Sequence, residues 1–488
     1  MLETKKPTVY QLLVHPATFL TAILLLNLYT AFQTGMGNDE GIWCYIANLW
    51  NHFGIPPYTM AVENKTPGIF YLFTLGCKFF GVNFWFPRLL AVISIGISGW
   101  FLYLSGKLLL DRNAGLLAML IFGLAMAWGV MDGLYTAQTE TFMALFTILA
   151  FFYFFKFYKN EKTSYISLLW AGIWIGAAIA FKQIAITSLV VLFIGVLITK
   201  KNDYQRLRGV AFLVAGVLAA TVVSILPLLF TGVSIIQYIH GAWLTLLKSG
   251  SSLSSDNRVL YFLGAWSRPG LSPLYPLAAL VLFNSKKLRG KGIPWLVFVL
   301  WILFDFIAVN SSGFYYGHQF KQLLPSIALG GGLVLSTLFG TNERHLPHAQ
   351  LLVVILLLFI PPGAYTDRPD ESKATLQKNY KELGLWLKDH TKPEQPIYIY
   401  TEKANSVMAW SERKSSSRYF NAIFIVNDKG KEASKLLKDL ENNPPAFFLV
   451  DHGKRLPNPV HKWVLDNTKL VTDRDGFVIL KPIDKPKN

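Results

Sequence analysis

The chain contains 488 residues, of which 52% are hydrophobic and only 15% are charged, and its formal net charge is +17. A soluble domain carries about 25% charged residues, so this composition excludes an ordinary soluble protein and predicts a polytopic membrane protein. The excess of positive charge is typical of cytoplasmic loops that follow the positive-inside rule, and attraction to an anionic lipid is an alternative reason for it. The sequence shows no basic surface interleaved with aromatic residues, which is the pattern expected of a protein that binds nucleic acid.

The apolar runs predict about 11 transmembrane helices, within a range of about 11–13, because each run is long enough to cross a hydrocarbon core about 30 Å thick. The first run follows two lysines, as in a signal sequence, but no small-x-small cleavage site follows it, so we interpret it as a retained helix. The runs cover 16–33, 88–108, 114–131, 140–158, 165–181, 183–199, 209–230, 271–284, 293–309, 322–339 and 349–365.

Basic loops alternate with loops that are poor in lysine and arginine. Eleven crossings with a cytoplasmic N-terminus place every basic cluster inside, as the positive-inside rule requires. The odd number of crossings places the C-terminal segment outside. The basic residues that set this orientation are Lys5, Lys6, Lys107, Arg112, Lys156, Lys159, Lys162, Lys200, Lys201, Arg206, Arg208, Lys286, Lys287, Arg289, Lys291 and Arg344.

The pattern divides the chain into a membrane domain, 1–366, and an external α/β domain, 367–488. The first external loop, 34–87, contains two amphipathic stretches, 42–53 and 67–80, that suit helices lying in the membrane interface. In the C-terminal domain the charge rises, and short β-like runs (PIYIY, AIFIV, AFFLV and FVIL) alternate with amphipathic helical patterns (YKELGLWLKDH and KEASKLLKDL). About 120 residues of this kind are enough to form a separate small domain.

Two adjacent carboxylates, Asp39 and Glu40, follow the first apolar run at the point where that helix should leave the lipid. Ionisable groups at this depth are costly and indicate a functional site. A carboxylate there can deprotonate a hydroxyl or an amine, or bind a metal ion. Alternatively, Asp39 caps a helix that starts near Gly41, since aspartate is a favoured N-cap residue.

Several cations fall on the same external face. Lys65 stands where an anionic head group would approach the second interfacial helix, or it snorkels to the interface. Arg88 opens the second span, where it binds a ligand or anchors the helix. Lys182 lies between two short apolar halves and therefore needs an anionic partner, either a carboxylate or a phosphate.

Polar residues also mark the external ends of later spans. Asp132 and Glu140 flank the ends of the third and fourth helices, and Glu140 is expected to face the protein interior. His318, Gln319 and Lys321 supply hydrogen-bond donors for a phosphate or a sugar. An ordinary aromatic belt is the alternative interpretation of that tyrosine-rich stretch.

The cysteine content gives little guidance. Cys44 and Cys77 are the only cysteines. A disulfide between them is conceivable in an oxidising compartment, but we expect free, partly buried thiols. The sequence contains no Walker, GxSxG, HExxH or CxxC motif.

The segment from NDEGIW to PRLLAV resembles the first external loop of membrane glycosyltransferases of the GT-C class. It is similar in particular to the branch that contains lipid A aminoarabinose transferase and the bacterial relatives of protein O-mannosyltransferases. Members of that branch show Asp-Glu after the first helix, Lys-Pro-Pro opening a helix, and then Phe-Gly and an arginine opening the next span. The similarity continues through YTAQTE, Lys182 and the tyrosine-rich stretch before LLPSIAL. The residues that fall in the same order here are Asp39, Glu40, Lys65, Thr66, Pro67, Phe80, Gly81 and Arg88.

This resemblance implies transfer of a sugar, with inversion, from a polyprenyl-phosphate-linked donor to a lipid, glycan or protein acceptor on the external face of a bacterial inner membrane. Asp39 would be the general base, with Glu40, Asp132 or Glu140 orienting the acceptor or binding a cation. No organic cofactor is implied. Members of the family differ in their need for a divalent ion, for which Asp39, Glu40 and Glu140 are the available ligands. The cations and donors available to the phosphate are Lys65, Arg88, Lys182, Arg258, Arg268, His318, Gln319 and Lys321.

Two features depart from the family pattern: Thr66 replaces a proline, and some relatives have more than eleven spans. A flippase or transporter for lipid-linked saccharides is an alternative, but it predicts charges near the bilayer midplane and inverted repeats, and the sequence shows neither. An oligosaccharide ligase is a further alternative, because it shares the lipid-phosphate chemistry. The Asp39-Glu40 pair directly after the first helix favours the glycosyltransferase.

Overall fold

The computed structural model describes residues 15–127, 131, 136–159, 165–199, 202–245, 255–268, 271–339, 371–422 and 432–483. Helices dominate the chain up to Phe339. In chain order they are α1 (Pro16–Ala31), α2 (Asn38–Phe53), α3 (Pro67–Phe80), α4 (Trp85–Leu109), α5 (Arg112–Met126), α6 (Thr139–Lys159), α7 (Tyr165–Phe181), α8 (Ile186–Thr199), α9 (Asp203–Phe230), α10 (Ile235–Tyr238), α11 (Ser255–Trp266), α12 (Leu274–Phe283), α13 (Ser285–Gly290), α14 (Trp295–Ser311) and α15 (Leu324–Phe339).

Every predicted apolar run except the last overlaps one of these helices, and the run at 349–365 lies outside the described residues. In the described part of the chain, α4, α6 and α9 are long and apolar enough to cross a membrane by length and composition. The other apolar helices are shorter. The molecule is therefore a helical membrane protein, while the number of crossings and their orientation stay predictions.

Local sequence explains where the helices begin. Pro16 occupies the first turn of α1, and the His15 ring accepts a hydrogen bond from the Ala17 amide. Proline suits this position because its missing N–H would have no helical partner. Asp111 caps α5 by accepting from the Ala114 amide at 2.8 Å.

Contacts divide the chain into two compact units. Unit 1 comprises Met1–Phe32, Arg88–Ser224 and Ser255–Arg368, whereas unit 2 comprises Gln33–Pro87, Ile225–Ser254 and Pro369–Asn488. The first external loop therefore groups with the C-terminal segment in unit 2. The predicted domain boundary at 366 lies outside the described residues and stays a prediction.

Within unit 1, close helix contacts depend on glycine. A Cβ atom at Gly172 on α7 would lie 2.0 Å from the Leu213 carbonyl oxygen, and one at Gly216 on α9 would lie 2.2 Å from the Leu169 carbonyl oxygen. Small residues of this kind let the backbones of membrane helices approach closely.

The C-terminal part of unit 2 forms a small α/β fold. Its four-stranded sheet has the order β1-β2-β4-β3, with β1 parallel to β2 and the other pairs antiparallel. Buried Tyr398, Leu436 and Phe448 contribute to its core. The elements are α16 (Glu371–Asp389), β1 (Tyr398–Tyr400), α17 (Ser406–Ser411), α18 (Ala433–Asn442), β2 (Phe448–Asp451), α19 (Asn458–Asn467), β3 (Thr468–Arg474) and β4 (Phe477–Pro482).

The predicted strands PIYIY, AFFLV and FVIL correspond to β1, β2 and β4, and both predicted amphipathic helices are present as α16 and α18. Most of the predicted strand AIFIV lies outside the described residues. The prediction missed β3, because its exposed sequence TKLVTDR is mostly polar and pairs only with β4.

Candidate active site

The Asp39-Glu40 pair lies in the first turn of α2, which begins three residues earlier than the predicted start at Gly41. Glu40 is fully buried, and its Oε2 accepts a hydrogen bond from the Gly37 amide at 2.8 Å. It thereby satisfies a backbone donor at the helix start, as the glutamate of a capping box does. The alternative interpretation of Asp39 as the cap of this helix does not hold, since Gly37 is the N-cap residue.

Asp39 is the second residue of α2 and is only half-buried. Its carboxylate has no hydrogen-bond or ion-pair partner among the residues that the structure describes. The positive end of the helix dipole favours a negative charge at this position. The side chain is therefore held at a site that stabilises the anion while its oxygens remain available.

Lys65 precedes α3, and both lie in unit 2 with Asp39. Its Nζ donates to Asn64 Oδ1 at 3.0 Å and lies 3.5 Å from Glu63 Oε1. The Tyr58 hydroxyl donates to the Lys65 carbonyl oxygen at 2.6 Å, and Tyr58 itself has a left-handed backbone with φ of 68°. Such a conformation costs about 1–3 kcal/mol in a non-glycine residue and occurs mainly at functional sites.

Arg88 lies in the first turn of α4 and is fully buried. Its Nη1 donates to the Ala31 carbonyl oxygen, at the end of α1, at 2.9 Å. A cation at a helix C-terminus satisfies a free carbonyl and complements the helix dipole. Within unit 1, Arg88 therefore ties α4 to α1.

Unit 1 holds a buried charged group that we call the Glu140 cluster: Thr139, Glu140, Lys182 and His318. Glu140 faces the interior, as predicted from the sequence, and forms an ion pair with Lys182. His318 Nε2 lies 3.7 Å from Glu140 Oε1, and the Thr139 hydroxyl donates to Glu140 Oε2 at 2.8 Å. Lys182 stands where α7 ends and a short 3-10 turn begins, and its anionic partner is a carboxylate.

The segment that carries His318 is a 3-10 turn, Gly317–Leu323. Gln319 Oε1 accepts from the Ser312 hydroxyl at 3.2 Å, and Lys321 is fully buried. Arg268 Nη2 donates to the carbonyl oxygen of Tyr315, another left-handed residue, at 2.9 Å.

The structure therefore brings only some of the predicted residues together. His318 and Lys182 share Glu140, and Arg268 supports the neighbouring loop. Arg258 is exposed on α11. Asp132 lies outside the described residues.

Comparison with known proteins shows a partial family match and a shared fold. Residues 64–228 match the family model of dolichyl-phosphate-mannose-protein mannosyltransferases. The fold matches the crystal structure of ArnT from Cupriavidus metallidurans bound to undecaprenyl phosphate, with a TM-score of 0.66 and 14% identity over 96% of this chain and 98% of that chain. The family model matches only residues 64–228, and the structural match shows the fold alone. A search of curated proteins finds no significant match.

Two further solved structures are similar in fold to this chain. An oligosaccharyltransferase from Archaeoglobus fulgidus, tethered to an acceptor peptide, matches with a TM-score of 0.54 and 13% identity over 89% of this chain and 69% of that chain. The arabinofuranosyltransferase AftD from Mycobacteria matches with a TM-score of 0.53 and 13% identity over 97% of this chain and 40% of that chain.

Sequence reasoning missed one buried acid of unit 1. Asp305, on α14, is 1% exposed and accepts hydrogen bonds from Ser326 Oγ at 2.9 Å and from Gln322 Nε2 at 3.5 Å. The signal was present, because Asp305 is the only charged residue in the run WLVFVLWILFDFIAVNS. An ionisable residue inside such a run is a functional candidate by default.

The described part of the chain contains no group of three or more His, Cys, Asp or Glu side chains that could hold a metal ion. Asp39, Glu40 and Glu140, the ligands suggested by the sequence, do not form such a group among these residues.

Proposed function

We propose that this protein is a GT-C glycosyltransferase that moves a sugar from a polyprenyl-phosphate-linked donor to an acceptor on the external face of a bacterial inner membrane, with inversion, and that Asp39 is the general base. The observation that carries the proposal is the half-buried Asp39 carboxylate, which has no partner among the described residues and lies at the N-terminus of α2. A base must keep its lone pairs free for the proton that it takes up.

The proposed donor class rests on the relatives. The ArnT structure contains undecaprenyl phosphate, and the Archaeoglobus oligosaccharyltransferase has been solved with dolichol-phosphate. Both ligands are polyprenyl phosphates, so the shared fold supports a lipid-phosphate donor here. The sugar and the acceptor are not specified by these matches.

The reaction is a single displacement. A hydroxyl or amine of the acceptor attacks the anomeric carbon of the sugar, and the bond between that carbon and the phosphate oxygen breaks. The electron pair leaves with the polyprenyl phosphate, and Asp39 takes the proton of the attacking group. Attack opposite to the leaving group inverts the anomeric configuration.

The neighbouring residues take different roles in this proposal. Glu40 supports the first turn of α2, since its carboxylate is committed to the Gly37 amide. Lys65 is our proposed ligand for the donor phosphate in unit 2, because a lysine ammonium stabilises phosphate charge without transferring a proton. The basic and polar residues of unit 1 remain further candidates for phosphate binding.

The test is a transfer assay with purified protein in detergent. Radiolabelled mannosyl and arabinosyl undecaprenyl phosphates serve as donors, and a membrane extract serves as acceptor. Wild type should transfer label, and Asp39→Asn should be slower by about 10²–10⁴-fold, the usual contribution of a general base. Asp203→Asn is the matched control, because Asp203 is also in the first turn of a helix but is exposed and paired with Arg206.

Activity of Asp39→Asn within tenfold of wild type would remove Asp39 as the base. Absence of transfer from every donor, accompanied by movement of the lipid across liposome bilayers, would overturn the proposed reaction. Equal losses in Asp39→Asn and Asp203→Asn would point to a general effect on folding.

A further inference from the structure

The residue immediately before Asp39 makes three hydrogen bonds to the C-terminal part of unit 2. Asn38 Oδ1 accepts from the Asn405 amide at 3.1 Å and from Asn405 Nδ2 at 3.0 Å, while Asn38 Nδ2 donates to the Glu402 carbonyl oxygen at 3.1 Å. Asn405 is fully buried. More than 360 positions separate the partners in sequence, so the contact exists only in the folded chain.

The backbones also touch at this point. A Cβ atom at Gly41 would lie 2.4 Å from the Ser406 amide nitrogen and 2.8 Å from the Asn405 carbonyl carbon. Real Cβ atoms do not approach backbone so closely, and only glycine fits at this position. The first turn of α2 is therefore packed directly against the start of α17.

The loop that receives Asn38, 401–405, is held by its own contacts. The Thr401 hydroxyl donates to Asp451 Oδ2 at 2.9 Å and accepts from the Lys403 and Ala404 amides at 3.2 and 3.1 Å. Glu402 forms an ion pair with Lys454 at 2.9 Å. The loop is thereby fixed to the end of β2 and offers a rigid support.

We propose that Asn38 and Asn405 are positioning residues that fix the first turn of α2 and thereby the direction of the Asp39 carboxylate. This inference rests on the proposed role of Asp39 as the base. The Asp39 side chain has no partner of its own in the described part of the chain, so its placement depends on the backbone of this turn. A displacement of about 1 Å in a reacting group can reduce a rate about 10²-fold.

The primary test compares the steady-state constants of Asn38→Ala and wild type, with the undecaprenyl-phosphate sugar that wild type uses as the varied substrate. We expect kcat to fall about 10–100-fold, while KM for the donor stays within about twofold. A loss of kcat at constant KM separates misplacement of the base from loss of donor binding.

Two matched controls remove contacts farther along α2. Asn48 Nδ2 donates to the Ala409 carbonyl oxygen at 3.2 Å, and the Tyr45 hydroxyl accepts from the Ser415 amide at 2.9 Å. Asn48→Ala and Tyr45→Phe should keep kcat within about threefold of wild type. If they reduce kcat as much as Asn38→Ala does, these contacts only hold the fold together and the proposal is overturned.

A double-mutant cycle tests whether the two asparagines act through each other. The kcat of Asn38→Ala/Asn405→Ala should equal that of Asn38→Ala, because the first change already removes the partner of the second. Multiplied losses in the double variant would contradict the proposal.

The outcomes distinguish this inference from the proposed function. If Asp39→Asn is active, the assignment of the base fails, whatever Asn38→Ala does. If Asp39→Asn is inactive and Asn38→Ala has the kcat of wild type, the positioning role alone fails. Hydrogen exchange provides a readout without substrate: the amides of 41–44 should exchange at least about tenfold faster in Asn38→Ala than in wild type, and equal rates would overturn the proposal.

Discussion

Units 1 and 2 each contain an acidic residue that the sequence indicates as functional, and the two residues differ in burial and in hydrogen-bond partners. In unit 1, Glu140 is buried, paired with Lys182 and hydrogen-bonded by Thr139. In unit 2, Asp39 is half-buried and has no partner among the described residues.

This difference allows a structural role and a catalytic role of a carboxylate to be separated by experiment. A buried carboxylate with a complete set of partners contributes to the fold, because the loss of either partner leaves a charge without compensation. A carboxylate without partners contributes little to the fold and keeps its oxygens free for chemistry. Stability and activity should therefore respond to different substitutions.

The largest effect on stability is expected for Glu140→Gln. The substitution leaves the Lys182 ammonium in a buried site without its carboxylate, which costs about 3–5 kcal/mol of unfolding free energy. Asp39→Asn should cost less than about 1 kcal/mol, the value of one charge at a helix N-terminus. Titration with a denaturing detergent would measure both variants, and equal losses would remove the distinction between the two carboxylates.

The next largest effect is the recovery of stability when both charges of the Glu140–Lys182 pair are removed. Glu140→Gln/Lys182→Met removes both charges, so it should be more stable than Glu140→Gln by about 2–3 kcal/mol, since a neutral pair has no uncompensated charge. The same titration would measure it. The exposed pair Asp203–Arg206 is the control, and its loss should change stability by less than about 0.5 kcal/mol. A double variant as unstable as Glu140→Gln would show that the ion pair is not the source of the loss.

Parts of this architecture followed from local sequence. The amphipathic stretch 67–80 became α3 with the same bounds, because Pro67 fixes its first turn and Gly81 follows its end. The apolar runs became helices because only helices satisfy their own backbone hydrogen bonds in lipid. The edge strand β3 was missed, since it lacks a continuous apolar pattern.

The arrangement of the candidate site was less accessible to sequence reasoning. The pattern indicated that Lys182 needs an anion, but it left both a carboxylate and a phosphate open, and the choice of Glu140 depends on packing between distant segments. The Asn38–Asn405 contact had no local signal, because it joins residues from the two ends of the chain. The sequence predicted a structural feature where one segment determines it, but it did not predict which distant residue each side chain contacts.

A smaller effect is expected at the thiols of unit 2. Cys44 Sγ and Cys77 Sγ are 3.2 Å apart, and both thiols are free and buried. The hydrogen bond with Cys77, together with burial, raises the pKa of the Cys44 thiol well above its usual value. Because the thiolate is the reactive form, Cys44 should react with maleimide at least about tenfold more slowly in the folded protein than in the unfolded one.

Mass spectrometry of labelled peptides would measure that rate, with Cys77→Ser as the matched variant. Removal of the hydrogen-bond partner should raise the labelling rate of Cys44 while the protein stays folded. Equal rates in the folded and unfolded wild type would show that the thiol is not shielded.

The smallest effect is expected for the stability of the protein at acidic pH, to which the partly exposed carboxyl of Glu432 contributes. Burial raises the pKa of Glu432, but hydrogen bonds from Tyr419 and Lys435 outweigh it and leave that pKa below its ordinary value. A carboxyl whose pKa is lower in the folded state than in the unfolded state stabilises the fold above its unfolded value of about 4.3. This contribution disappears as the pH falls through the lowered pKa of the folded state.

Glu432→Gln should therefore lose less stability than wild type when the pH falls from about 6 to about 3, by an amount under about 1 kcal/mol for a partly exposed group. Glu441→Gln, an exposed position on α18, the helix that Glu432 precedes, is the control and should follow wild type. Denaturation midpoints measured across this pH range would test the difference. If Glu432→Gln and wild type gave parallel curves, the hydrogen bonds of Glu432 would contribute nothing to acid stability, and the carboxylate–tyrosine contact would be a feature of geometry alone.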